Sequence, residues 1–157
     1  MKKKLLAIAM MIVTMLLVLT ACRNSYEYKE EDFRLTVTVD KTEARVGDTV
    51  TVTATFENLS GRNIWVRAGS PSVKRLEDVL QLGAWQEYRN VAFGVYDDGG
   101  LLLRWRFKKD AVIEKQMEIV IQELSDYVAS AAVIFRVGRE HERKGIDGER
   151  VIIIVKE

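Results

Sequence analysis

The sequence predicts an all-β protein, built as an antiparallel β-sandwich of about seven to nine strands. In three segments, residues 33–39, 49–56 and 101–107, hydrophobic and polar residues alternate with a period of two. Such alternation is typical of strands with one buried face. β-Branched residues dominate the first two segments and favour a pleated sheet over a helix.

Further strands follow from the turns between the apolar segments. Gly47-Asp48 is a turn signal that separates the first two strands. The residues of the segment 97–100 (DDGG) accept positive φ, which predicts a hairpin of strands 91–96 and 101–107. Residues 63–67, 117–122, 128–137 and 151–155 are the other predicted strands. The last one is apolar throughout, so it is either covered on both faces or presents one face to a partner.

Residues 68–90 allow two interpretations. Ser70-Pro71 would begin one short helix within 70–82, which Gly83 would end. Alternatively, residues 78–82 form a strand inside a wide connection.

The tryptophans differ in their predicted environment. Trp105 shares the apolar face of its strand and is expected in the core, whereas Trp65 is out of phase with its apolar neighbours Ile64 and Val66. Trp65 is therefore expected on the opposite face.

Two turn motifs carry a resemblance to a known class of domain. The segments 46–50 (VGDTV) and 57–61 (ENLSG) resemble turns in the immunoglobulin-like domains of bacterial surface lipoproteins. The resemblance covers residues 33–67 and implies an immunoglobulin-like Greek-key sandwich. Tyr127, at the start of a long strand, resembles a tyrosine corner, which implies that its hydroxyl reaches the backbone of the preceding turn.

Residues 1–22 predict the location of the protein. Three lysines precede the uncharged apolar run 5–19, as in a secretory signal peptide, and the run closes on Leu19-Thr20-Ala21-Cys22. This motif resembles the lipobox of bacterial lipoprotein precursors. The resemblance implies that residues 1–21 are removed and that acylated Cys22 anchors the chain to the extracytoplasmic face of the cell membrane. The alternative is a transmembrane anchor, for which the run is short of the roughly 20 residues preferred.

Processing would leave a nearly neutral domain. Removal of residues 1–21 from the 157-residue chain leaves 136 residues and changes the formal charge from +1 to −2, because three lysines are lost. This charge argues against nucleic acid as a partner. Residues 22–32 are predicted as the lipidated N-terminus and tether, and 33–157 as the domain. Cys22 is the only cysteine, so no internal disulfide is possible.

The sequence predicts no catalytic residue, no cofactor and no metal site. It carries no nucleophile-elbow, zinc-protease or phosphate-loop motif, and the only histidine, His141, lies between Glu140 and Glu142. We therefore expect a non-catalytic binding, adhesion or assembly module whose partner is another surface protein or a cell-wall component. The alternative is a surface inhibitor similar to the bacterial intracellular proteinase inhibitor family, and an enzyme remains a third class.

Two places are candidate binding sites. The charged segment 138–149 is predicted as a mobile loop, with Arg139, His141, Arg143 and Lys144 as candidate contacts. Trp85 and Tyr88 are candidate exposed aromatic residues. The alternatives are a solvated loop in the first place and local packing in the second.

Overall fold

The structure, a computed structural model, describes residues 27–68, 73–86, 103–137 and 142–157, with 142–144 by their backbone alone. Within these residues the chain forms ten strands and two 3-10 helices, and no α-helix. The strands are β1 (Phe33–Val39), β2 (Glu43–Arg45), β3 (Thr49–Asn58), β4 (Ile64–Ala68), β5 (Leu80–Gln86), β6 (Leu103–Phe107), β7 (Val112–Val120), β8 (Tyr127–Val137), β9 (Glu142–Asp147) and β10 (Val151–Lys156). The 3-10 helices are Glu30–Asp32 and Leu76–Val79.

The strands form two sheets that pack face to face. The smaller sheet has the order β1–β3–β7, and the larger follows the path β2–β10–β8–β4–β6, with β5 and β9 also paired to β8. Only the short β2–β10 pairing is parallel among those described. The predicted all-β sandwich is therefore confirmed, with ten described strands in place of seven to nine. Its immunoglobulin-like Greek-key connectivity stays a prediction.

A cluster of phenylalanine rings joins the two sheets. The ring of Phe56 in β3 lies 5.7 Å from that of Phe33, 5.1 Å from that of Phe107 and 5.7 Å from that of Phe135, measured between centroids. All four rings are buried, and each contributes roughly 1.5–3 kcal/mol through its removal from water. The apolar residues whose alternation predicts β1 and β3 thus supply two rings of this core, Phe33 and Phe56.

The doubly buried strand is β8 and not the last strand. Ile152 and Ile154 in β10 are 50% and 47% exposed, so β10 presents one apolar face. In β8, by contrast, Val128, Ser130 and Ala132 are buried although they alternate with the core residues. β8 has β4 and β5 along one edge and β9 and β10 along the other. β8 is thus an interior strand of the sheet, and its small residues Ser130 and Ala132 are buried with the rest.

The short helix considered within 70–82 is present as a single 3-10 turn, Leu76–Val79, and β5 follows it directly. Both interpretations of this segment are therefore partly correct, because the alternative strand begins at Leu80. The carboxylate of Asp78 accepts hydrogen bonds from the amides of Lys74 (2.9 Å) and Arg75 (2.8 Å). These bonds lower the pKa of Asp78, and the bond from Arg75 has the larger effect. A carboxylate that binds preceding amides favours a tight turn over a helix.

The predicted loop 138–149 is wrong over half of its length, because β9 occupies residues 142–147. β9 pairs with β8 from Glu142 opposite Val137 to Asp147 opposite Ala132. Cross-strand pairing gives this charged, glycine-containing segment the hydrogen bonds of a strand, which its local pattern does not predict.

Gly148, which lies in the segment predicted as a mobile loop, packs against the core. Its amide donates to the carbonyl of Ala131 at 2.9 Å. A Cβ atom at Gly148 would lie 3.0 Å from Cγ2 of Val37 and 3.2 Å from Cγ of Leu35. The absence of a side chain therefore lets β1 approach the point where β8 changes its partner from β9 to β10.

The segment before β1 is folded onto the domain. Asp32 is buried, its carboxylate accepts the amide of Lys29 at 2.8 Å, and its carbonyl accepts the amide of Leu59 at 2.8 Å. Tyr28 packs against the core. The segment 22–32, predicted as a tether, therefore ends in a docked turn.

The hairpin predicted at 91–107 is described only in its second strand. β6 pairs antiparallel with β4, and the turn 97–100 and the strand 91–96 lie outside the described residues. Trp105 packs against the core and Trp65 is 48% exposed, so both predicted environments are confirmed.

The hydroxyl of Tyr127 makes the bond that the tyrosine-corner resemblance implies. Tyr127 is 8% exposed, and its hydroxyl accepts the amide of Gln122 at 3.2 Å. Beside it, the carboxylate of Asp126 accepts the amide of Val155 at 2.9 Å. The two side chains hold the turn before β8 against β10.

Asn58, at the end of β3, is buried and makes hydrogen bonds through both atoms of its side-chain amide. Its Nδ2 donates to the carbonyls of Arg62 (2.8 Å), Phe107 (3.3 Å) and Lys108 (2.8 Å). Its Oδ1 accepts the amide (3.1 Å) and the hydroxyl (2.7 Å) of Ser60. One side-chain amide thus ties the turn after β3 to the end of β6.

Gly148→Ala is expected to lower the free energy of unfolding by about 1–3 kcal/mol, because the new methyl group overpacks a filled site. Gly145→Ala is the matched control, since a Cβ there meets no atom within 4 Å, and its effect should stay within ~0.5 kcal/mol. Urea denaturation measures both. Equal losses in the two variants would contradict the packing argument.

Tyr127→Phe removes the hydroxyl that accepts the amide of Gln122 and should cost roughly 1–3 kcal/mol of stability. Circular dichroism during urea unfolding reports the change. A loss below about 0.5 kcal/mol, the usual range for an unremarkable surface site, would show that this bond does not stabilise the corner.

Candidate anion-binding face

The outer face of the larger sheet carries arginines in β4, β6 and β8. In β4, Ile64, Val66 and Ala68 are buried, so Arg67 and Trp65 lie on the other face. The same alternation puts Arg104 and Arg106 of β6 outside, opposite Phe107, and Arg136 of β8 outside, between two buried residues. A period of two in each strand thus places these arginines on one surface.

Strand register aligns four arginines in one line across the sheet. Arg104 is the Cα partner of Arg67, Arg67 is the partner of Arg136, and Arg136 is the partner of Arg143 in β9. We call these four residues the arginine row. Neighbouring strands lie about 4.8 Å apart, so the backbone of the row spans about 14 Å.

The exposed cations of this face are Arg104 and Arg106 in β6, whereas Arg67 and Arg136 are half-buried and make further interactions within the protein. Guanidinium groups hold phosphate or carboxylate oxygens in bidentate geometry, so the exposed pair is suited to an anionic ligand.

Trp65 orients one end of the row. The Cζ atom of Arg104 lies 4.0 Å from the centroid of the Trp65 ring, within the range of a cation–π contact. Trp65 remains 48% exposed. Stacking holds the plane of the guanidinium while its N–H groups remain available to a ligand, which lowers the entropic cost of binding.

The smaller sheet shows the opposite arrangement. Arg34 in β1 faces Glu57 in β3 and donates two hydrogen bonds to its carboxylate, of 2.8 and 2.7 Å. These bonds lower the pKa of Glu57. On that sheet the residue opposite an arginine is an acid, whereas within the row it is another arginine.

The sequence-predicted contacts only partly coincide with this face. Arg143 and Lys144 lie in β9 and not in a loop, and the backbone register puts Arg143 at the end of the row. Arg139, His141, Tyr88 and Cys22 lie outside the described residues. The inhibitor alternative needs a protruding loop, and β9 takes up half of the predicted loop 138–149.

Trp85 belongs to a second, apolar surface. It is partly buried in β5, and register places it beside Val128 in β8, which in turn pairs with Ile152 in β10. Ile152 is half exposed and Val128 is buried. The expectation of an exposed Trp85 is therefore only partly correct, because packing in the sheet covers part of the ring.

The sequence alone does not predict that one surface collects four arginines, Arg67, Arg104, Arg106 and Arg136. Alternation alone puts Arg104 and Arg106 on the polar face of one strand, which is visible in the sequence. Their alignment with Arg67 and Arg136 depends on the register between distant strands, for which a single sequence has no signal.

The remaining site chemistry is sparse. Within the described part of the chain, no three His, Cys, Asp or Glu residues are grouped so that they could hold a metal ion. None of the helices among residues 27–68, 73–86, 103–137 and 142–157 is long and apolar enough to cross a membrane.

The fold and the site together define a β-sandwich with an arginine-lined outer face. No family model and no curated protein matches the sequence. Among solved structures, the chain is similar to a β-glucosidase, EmGH1 from Erythrobacter marinus, with 12% identity, a TM-score of 0.37 and coverage of 74% of this chain and 15% of the other. It is also similar to Spo0M, a sporulation control protein from Bacillus subtilis, with 13% identity, a TM-score of 0.33 and coverage of 80% and 50%. The chain thus spans at most half of these proteins, and similarities this weak carry no argument about function.

Polyphosphate is expected to raise the melting temperature of the protein at constant ionic strength, because a ligand that binds only the folded state stabilises it by about 2.7 kcal/mol at ~100 times its Kd. Arg104→Gln should reduce the shift. Arg45→Gln removes the same charge at the far edge of the sheet and should leave the shift intact. Differential scanning fluorimetry measures the shift in melting temperature. An equal shift in the wild type and in both variants would exclude the arginine row as the site.

Proposed function

We propose that this protein is a lipid-anchored extracytoplasmic lipoprotein whose immunoglobulin-like β-sandwich is a non-catalytic module that binds an anionic ligand. The observation that carries the binding role is the exposed basic side of β6. The Cζ atom of Arg104 lies 4.0 Å from the centroid of the Trp65 ring, and Arg106 is exposed on the same face. Guanidinium groups bind phosphate and carboxylate oxygens in bidentate geometry.

The order of the strands supports the immunoglobulin-like description. In that fold, strands A, B and E belong to one sheet and C, F and G to the other. The order β1–β3–β7 corresponds to A–B–E, and β10–β8–β4 corresponds to G–F–C. Tyr127 then falls at the start of strand F, where a tyrosine corner belongs. β5 departs from this scheme, because it pairs along the part of β8 that β4 leaves free.

The proposed anchor rests on Leu19-Thr20-Ala21-Cys22 and the apolar run before it. Acylation supplies about 0.8 kcal/mol per buried CH₂, and one chain gives only marginal attachment, so two signals are needed for a stable anchor. A diacylglyceryl group on Cys22 meets this requirement. Partners of the anchored module would be anionic components of the envelope or of another surface protein.

Cys22→Ala should leave residues 1–21 attached and the chain without lipid, while the domain still folds, since no disulfide depends on the only cysteine. Ser25→Ala, three residues further on, is the matched control and should be processed as the wild type is. Mass spectrometry of the membrane fraction distinguishes the forms. An unmodified Cys22 in the wild-type protein would contradict the proposed lipid anchor.

A further inference from the structure

Trp65 places an aromatic surface directly beside the two exposed arginines of β6. It is the Cα partner of Arg106, so the two side chains are neighbours on one face of the sheet. The guanidinium group of Arg104 covers part of the indole, 4.0 Å from the ring centroid. Trp65 is nevertheless 48% exposed. The rest of the ring is therefore accessible to a ligand that also reaches the two cations.

The charges of these two arginines are not neutralised by neighbouring side chains. Neither Arg104 nor Arg106 has a carboxylate partner among the residues that the structure describes. Arg34 on the smaller sheet, by contrast, lies 2.7 Å from a carboxylate oxygen of Glu57. Alternate positions of a strand are about 7 Å apart, so Arg104 and Arg106 can hold two separate anionic groups of one ligand.

We propose that Trp65, Arg104 and Arg106 bind an acidic polysaccharide, with a sugar ring on the indole and the carboxylates of its uronic acid residues on the two guanidinium groups. This inference deepens the anion-binding role proposed above and rests on it. The face of an aromatic ring is negatively polarised and attracts the C–H groups of a sugar ring. A guanidinium group matches a carboxylate through two parallel hydrogen bonds.

The combination of an indole with two cations selects this ligand over simpler ones. A polyanion without rings engages Arg104 and Arg106 and leaves the exposed part of Trp65 unused. A neutral sugar covers the indole and leaves both cations without a counter-charge. An apolar partner would find Ile152 and Ile154 instead, which lie in β10, on the far side of β8 from β4. A polymer of acidic sugars satisfies all three side chains at once.

The test compares two polymers that carry carboxylates, polygalacturonate on a sugar chain and polyglutamate on a peptide chain. Isothermal titration calorimetry measures the affinity of the full chain for each polymer at constant ionic strength. We expect Trp65→Leu to weaken polygalacturonate binding about fivefold more than polyglutamate binding. Arg106→Gln should weaken both about tenfold. Ile154→Ala, an exposed position away from the face, is the control and should change neither.

Trp65→Phe separates stacking from a general loss of structure, because phenylalanine keeps an aromatic face. It should recover most of the polygalacturonate affinity that Trp65→Leu loses. An equal loss for both polymers in Trp65→Leu would show that Trp65 only holds Arg104, and it would overturn the sugar assignment.

A separate result distinguishes failure of this inference from failure of the anion-binding role. No binding of polygalacturonate, while polyphosphate still raises the melting temperature, would overturn the polysaccharide assignment and leave the proposed function standing. If neither polymer binds and polyphosphate has no effect, both the inference and the anion-binding role are wrong.

Discussion

Strand β8 is the constraint on which the larger sheet depends. β4, β5, β9 and β10 all make backbone pairs with it, and no other strand described in the structure has so many partners. The middle of β8 carries small residues, the run 129–132 (ASAA), all of which are buried. Larger side chains at the core positions Ala129 and Ala131 would separate the two sheets, because packed interiors have little free volume.

The arginine row follows from the same strand. Arg136 lies between the buried residues Phe135 and Val137, and it pairs with Arg67 in β4 and with Arg143 in β9. Had β8 ended earlier, Arg67 and Arg143 would have no common neighbour. The sandwich therefore brings together basic residues from four separate strands.

Local periodicity predicts the strands that face one core, and it fails where pairing partners determine the structure. β1 and β3 follow from their alternating residues alone. β9 is charged and contains Gly145, so only its partner β8 makes it a strand. β10 is apolar throughout and still exposes Ile152 and Ile154. Its exposed face could not be predicted, because a run of apolar residues does not indicate which face packs against a neighbour. The arginine row belongs to this second class, since it exists only in the register of distant strands.

The buried amide of Asn58 also has a consequence for register. Its Nδ2 donates to the carbonyls of Phe107 and Lys108, which lie 49 and 50 residues further along the chain. A slip of β6 by one residue would move these carbonyls and leave Nδ2 bonded to the carbonyl of Arg62 alone, and the loss of a buried donor's partner costs about 1–3 kcal/mol. The same slip would exchange the two faces of β6 and turn Arg104 and Arg106 toward the core. The hydrogen bonds of Asn58 thus favour the observed register of β6 against β4. The orientation of the basic face depends on these bonds, although they lie on the opposite side of the sheet.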